Sequence, residues 1–204
     1  MRFTCGWFLL LGFALCLSSA NGAPVIHHLT MDDLPSQPVH GLAHDTGVEF
    51  AFTVNGQPSD DATYAAFGPN VTIFIADPSI EGDATGTLFV GFPEPVPFVQ
   101  FGVARSVSAR GTLAVVEVFD AENVSQGVTN LSLIPMPTFA EGQFTYNGAP
   151  ISRLTLSFAP PPALGRFAFD NLRFGVIPEP ATSGLAVVMA GMVGLLRRGR
   201  RTRA

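Results

Sequence analysis

The chain has no lysine: all 11 of its basic residues are arginines. Its only cysteines, Cys5 and Cys16, and its only tryptophan, Trp7, sit close to the N-terminus. If that stretch is removed, the remaining body carries no thiol, which excludes a disulfide scaffold and a cysteine-ligated metal site. The body then has no tryptophan and two tyrosines, Tyr64 and Tyr146, so phenylalanine must supply any stacking surface. Catalytic signatures are also missing. There is no phosphate-binding loop, no Gly-x-Gly-x-x-Gly, no Gly-x-Ser-x-Gly and no His-Glu-x-x-His. Helical periodicity is confined to the chain ends, which argues against a parallel α/β fold, because no crossover helix exists.

What is there begins with a leader. Arg2 supplies a positive start, residues 5–17 (CGWFLLLGFALCL) are apolar and uncharged, and Ser18-Ser19-Ala20 offers small residues for cleavage. This is the pattern of a secretory signal peptide over residues 1–22, read by the Sec translocon and signal peptidase. Thirteen apolar residues are too few to span a bilayer, which needs about 20.

The other end has its own apolar run. Residues 181–196 carry no charge and form a candidate transmembrane helix of roughly 24 Å, with snorkelling arginines to extend it. Arg197, Arg198, Arg200, Arg201 and Arg203 follow, and basic flanks stay cytoplasmic, which leaves the body on the far side of the membrane. Immediately before the run stands Pro178-Glu179-Pro180, where two prolines hold a glutamate in extended backbone.

Motif, apolar span and arginine cluster in that order, over residues 176–204, resemble the PEP-CTERM sorting signal of Gram-negative bacteria. The resemblance implies that exosortase, a membrane protease-transferase, recognises Pro178, Glu179 and Pro180 and removes the tail after an inner-membrane stage. The protein would then reach the cell surface or extracellular matrix. A second Pro-Glu-Pro, at residues 93–95, has no span behind it and carries no such meaning.

The formal charge of −5 changes on processing. Arg2 leaves with the leader and five arginines leave with the tail, so five remain against 16 acids and the body stands near −11. An acidic, lysine-free surface argues against nucleic acid as a partner.

Residues 23–175 are expected to form one domain, long enough for a proper core. Short runs rich in Val, Phe, Ile, Leu and Thr recur between Gly, Pro, Asn and Asp clusters. They predict nine strands, at residues 48–54, 71–76, 86–91, 96–103, 112–119, 128–134, 142–146, 151–158 and 166–174. The fold class is all-β, a two-sheet antiparallel sandwich of jelly-roll type. Asn55-Gly56 and Asn147-Gly148 are two-residue turn signals, and the second, with strands on both sides, predicts a hairpin. Pro93, Pro95, Pro97, Pro135 and Pro137 are expected at strand ends or edges, where they block pairing with other chains.

His27, His28, His40 and His44 crowd into one segment. Gly41 and Gly47 speak against a helix that would set His40 and His44 on a metal, so the segment reads as a loose leader with exposed imidazoles. Glu49 and Glu117 are strand carboxylates, and a glycosidase would need two facing each other. The acidic run Asp77, Ser79, Glu81, Asp83 fails as an EF-hand because of Pro78 and because Leu88 stands where the closing glutamate belongs.

Residues 86–174 resemble the sandwich bodies common in PEP-CTERM proteins, which look like lectin or carbohydrate-binding modules. An apolar strand with a Pro-Val step, a strand ending in Phe-Asp, a Phe-Thr-Tyr-Asn-Gly segment and a closing Phe-Asp-Asn-Leu-Arg-Phe strand carry this likeness. The resemblance implies a structural Ca²⁺ tying an N-terminal segment to the last strand, with Asp32, Asp33 and Asp170 as ligands. It implies no other cofactor and no catalytic residue. The leading expectation is a non-enzymatic surface or matrix protein associated with exopolysaccharide or biofilm. The rival is an extracellular hydrolase of polysaccharide or peptide held by the same tail.

Overall fold

A computed structural model describes residues 25–106, 113–159 and 165–176, all within the compact unit Val25–Val176. The leader, the Pro178-Glu179-Pro180 motif, the tail helix and the terminal arginines lie outside the described residues.

Thirteen strands make up this unit: β1 (Val25–Leu29), β2 (Gln37–Pro38), β3 (Leu42–Ala43), β4 (Glu49–Val54), β5 (Gln57–Pro58), β6 (Thr63–Ala66), β7 (Ser79–Asp83), β8 (Thr87–Ser106), β9 (Leu113–Phe119), β10 (Ser125–Ser132), β11 (Ile134–Pro135), β12 (Phe139–Ala159) and β13 (Arg166–Val176). All pairings are antiparallel. The all-β sandwich expected from the sequence is what the chain forms.

Two long strands organise it. The first part of β8, residues 87–91, lies between β4 and the last part of β12, and β9 and β10 continue that sheet. The second part of β8 lies between the first part of β12 and β13. From β13 the second sheet continues to β1 at one end, and through β7 to β6 and β2 at the other. The ladder is therefore continuous, and β8 and β12 pass from one layer to the other.

The passage falls at residues 92–97 of β8 and 147–151 of β12, where the register shifts. This corrects two expectations. Asn147-Gly148 is no hairpin: it is part of β12 at the layer change. Pro93, Pro95 and Pro97 mark the same corner inside β8 and not a strand end. Prolines fit there because a strand leaving one ladder for another has amides with no sheet partner to lose. The two-residue turn is Asn55-Gly56, with φ of 52° and 73°, joining β4 to β5. Both residues are left-handed, as that turn requires.

The core lies between the layers. Phe52 of the first sheet meets Phe167 of the second at 5.7 Å between ring centroids, and Phe158 meets Phe167 at 6.1 Å. Phe101 joins Phe144 and Phe169 at 5.0 and 4.7 Å. In β13, Phe167 and Phe169 point inward, and Asn171 at φ 55° shifts the register so that Leu172 and Phe174 point inward as well. Such an insertion resets the two-residue period.

Residues 71–76, expected as a strand, form none. They are part of a strap, residues 67–78, laid over the outer side of the second sheet. Ile75 is buried there against Ala104 and Ala168, with Phe139 beside them. The phenylalanine-rich, period-two look of residues 71–76 reflects one face seated on that sheet and not a ladder. The expected loose leader is also ordered. β1 pairs along its length with β13, His27 stacks on Phe174 at 5.0 Å, and Met31 and His44 are buried. Its partner strand is far along the chain, so no local pattern announces it.

Candidate functional site

The outer side of the first sheet carries the better-built recognition surface. Register sets Glu49, Gly91, Arg153 and Phe119 in one row across β4, β8, β12 and β9. The next row is Ala51, Phe89, Thr155 and Glu117. Gly91 has no side chain, so the sheet dips there. The result is an open groove of about 520 Å³ lined by His40, Glu49, Ala51, Phe89, Gly91 and Arg153.

Arg153 is the centre of this surface. Its guanidinium carbon lies 4.3 Å from the ring centroid of Phe119, a cation–π contact that fixes the side chain across the sheet. Its Nε is buried and has no hydrogen-bond partner among the described residues. A buried donor without an acceptor costs about 1–3 kcal/mol. An oxygen-rich ligand lying in the dip would relieve that cost. Phe89 and Phe119 supply flat apolar faces on either side of Arg153.

Glu49 and Glu117, the carboxylates a glycosidase would use, share this surface but not a centre. β8 and β12 lie between their strands. Three strand spacings separate them by about 14 Å. Paired glycosidase carboxylates stand about 5–9.5 Å apart.

The acidic residues expected to hold Ca²⁺ are committed elsewhere. The Tyr64 hydroxyl donates to Asp33 Oδ1 at 2.6 Å, and His44 Nε2 meets Asp33 Oδ2 at 2.5 Å. The Thr46 amide donates to His44 Nδ1 at 3.1 Å, which leaves the Nε2 proton for Asp33. Burial works against ionised Asp33, but the bonds from Tyr64 and His44 outweigh it and hold the carboxyl below its ordinary value. Burial and the facing Asp33 push Tyr64 up. This network staples the N-terminal segment to β6. Asp32 bonds Thr30. Asp170 accepts from the Ala76 amide at 2.8 Å and from Asn171 Nδ2 at 2.9 Å. Among the described residues no three carboxylates or imidazoles converge on a metal position, so Asp32, Asp33 and Asp170 do not form the expected centre. Their roles in holding the N-terminal segment and the strap were invisible in sequence, because each partner is distant in the chain.

Asp170 has a further property. It is fully buried, and its Oδ1 has no partner. Burial pushes it up to about 6, against the backbone amides of Ala76 and Asn171, and nearby Asp32 and Asp77 add to the rise.

A second, smaller cavity of about 250 Å³ opens beside the strap, lined by Phe67, Glu81, Arg105, Phe139 and Arg166 among others. Arg166 bonds Asp61 at 3.3 Å and faces Glu81 at 3.5 Å. Burial pushes Glu81 up, with Arg166 pulling the other way.

No family model matches the sequence, and no curated protein matches it. Solved structures do resemble it in shape. The K1 cleaved adhesin domain of Lys-gingipain from Porphyromonas gingivalis W83 has a TM-score of 0.41 and 9% identity, covering 74% of this chain and 97% of that one. A xylan-binding module of carbohydrate-binding family 15 has a TM-score of 0.41 and 10% identity, covering 78% and 100%. A family 29 carbohydrate-binding module has a TM-score of 0.40 and 9% identity, covering 74% and 89%.

Proposed function

We propose that this is an exported, non-enzymatic surface or matrix protein. Exosortase sorts it through Pro178, Glu179 and Pro180, and its sandwich holds extracellular polysaccharide on the outer side of the first sheet. The address rests on the two chain ends. The activity rests on one observation: the unpartnered Arg153 Nε in a glycine-floored groove between two phenylalanine rings. Sugars have apolar ring faces and dense hydroxyl oxygens, so they match flat aromatic faces combined with a fixed donor. Glu49 and Glu117 on the same side accept hydroxyl protons. The absence of tryptophan from the body limits stacking energy and sets the expected affinity in the weak range that suits a matrix component present in many copies.

The test is affinity electrophoresis of the exported protein through gels containing exopolysaccharide from the producing cell, with Arg153→Ala beside the wild type. Retardation of the wild type and its loss in Arg153→Ala supports the reading. Equal mobility of both with and without polysaccharide contradicts it.

A further inference from the structure

The free edge of the first sheet is β10, which pairs with β9 and with no other strand among the described residues. We infer that β10 is a homotypic assembly edge, which joins to β10 of a second copy as an antiparallel strand pair.

The edge is built differently from the others in this fold. An unpaired strand edge is a template for another chain, and proteins normally blunt it with proline, charge or shortness. β2, β5 and β11 are each two residues long and end in Pro38, Pro58 and Pro135. β3 is two residues, Leu42–Ala43. β1 has five residues and two imidazoles. β10 has eight residues, Ser-Gln-Gly-Val-Thr-Asn-Leu-Ser, with no proline and no charge. Every residue from Ser125 to Asn130 is exposed, so β10 reaches beyond the packed layers and Val128 stands 56% exposed.

The edge is also pre-ordered. Asp120 Oδ1 accepts from the amides of Glu122 at 3.0 Å and Val124 at 2.8 Å, and Oδ2 accepts from Gln126 Nε2 at 2.6 Å. The Asp120 amide donates back to the Val124 carbonyl at 3.1 Å. A strand held in pairing geometry before it meets a partner loses less entropy on binding.

Charge favours a second copy and selects its direction. The body near −11 repels itself over most of its surface. β10 presents none of that charge, and the nearest acids, Asp120 and Glu122, sit at one end of it. In an antiparallel pair with its two-fold axis near Val128–Thr129, the two acidic turns fall at opposite ends, roughly 40 Å apart. That is about four Debye lengths in 0.1 M salt. A parallel pair would set them side by side.

The experiment is sedimentation velocity on the exported protein recovered from its own host over a wide concentration range. The comparison is Val128→Lys/Asn130→Lys, two exposed positions whose substitution leaves the core untouched. The expected result is a doubling of mass with concentration in the wild type and a monomer in the lysine variant. Mixing the lysine variant with Val128→Glu/Asn130→Glu should restore the doubled mass. A wild type that stays monomeric up to about 1 mM (a concentration at which even a −4 kcal/mol association is half complete), or a lysine variant that associates like the wild type, overturns the inference. Hydrogen exchange on the wild type alone decides it independently of whether the variants fold. Amides of residues 126–131 that slow with concentration support the pairing, and amides that do not change contradict it.

Discussion

Glu141 Oε2 accepts a 2.6 Å hydrogen bond from the hydroxyl of Thr72, 69 residues earlier in the chain. The same carboxylate accepts from the amides of Ile73 at 3.3 Å and Phe74 at 3.2 Å. Glu141 is fully buried under the strap, so three donors with no sheet partner find their acceptor in one side chain. Hydrogen bonds to a charged group contribute about 1.5–3 kcal/mol each when neither side is left unpaired. Glu141→Ala should therefore destabilise the domain by about 3 kcal/mol, which lowers Tm by roughly 10 °C. Glu141→Gln keeps an acceptor and should lose about half as much. Thermal melts of the two variants check the order; equal melts would remove Glu141 as the anchor.

The strap is also held by close approach. A Cβ on Gly102 would stand 2.0 Å from the Phe74 carbonyl oxygen. Backbone cannot yield as a flexible side chain does, so Gly102→Ala should lift residues 72–76 from the sheet. The expected readout is faster hydrogen exchange at Phe74 and Ala76, with a stability loss of about 1–3 kcal/mol. Exchange that is unchanged in the variant would contradict the contact.

Stability should peak in mildly acidic solution. Asp170 stands at about 6 in the fold, above its ordinary 3.8, because of burial. The folded state then holds a proton that the unfolded chain releases, so this contribution is complete below about pH 4 and is lost as pH rises through 6. Glu81, also raised by burial, acts in the same direction. Asp33 acts oppositely: its lowered value contributes stability above its ordinary range, lost as pH falls through the folded value. Tm should therefore rise from pH 8 to pH 5 and fall below pH 4. Asp170→Asn should flatten the upper limb and leave the acid limb in place.

Groove residues should separate binding from folding. Phe119→Ala removes a stacking face and the ring under Arg153, while both residues lie on the outer side of the sheet. Loss of an aromatic contact of about 1 kcal/mol weakens binding roughly fivefold to tenfold. Tm should move by less than a few degrees. A variant that binds polysaccharide as tightly as the wild type would place recognition elsewhere.

The strand pattern of the body was legible wherever one face was buried. The runs at 48–54, 112–119 and 166–174 correspond to β4, β9 and β13. Even the mixed faces of β13 have a physical source: Ala168 and Asp170 point outward but lie beneath the strap. What could not be read is what depends on distant partners. Residues 86–91 and 96–103 are one strand, β8, as residues 142–146 and 151–158 are one strand, β12, because each crosses between layers without a break. Asn147-Gly148 carries the composition of a turn, and the layer change uses it as a bend. Asp33 and Glu141 look like surface acids in sequence, and only long-range contacts to Tyr64 and Thr72 show them to be staples. The groove escaped notice for the same reason: Glu49, Gly91, Arg153 and Phe119 meet only through register.

The most direct test of the account is the intact mass of this protein recovered from the surface or medium of its own host, with and without exosortase. The account predicts a surface species lacking the leader and the residues after the Pro178-Glu179-Pro180 motif, and its loss when exosortase is absent. An unprocessed tail held in the inner membrane in both strains would contradict it.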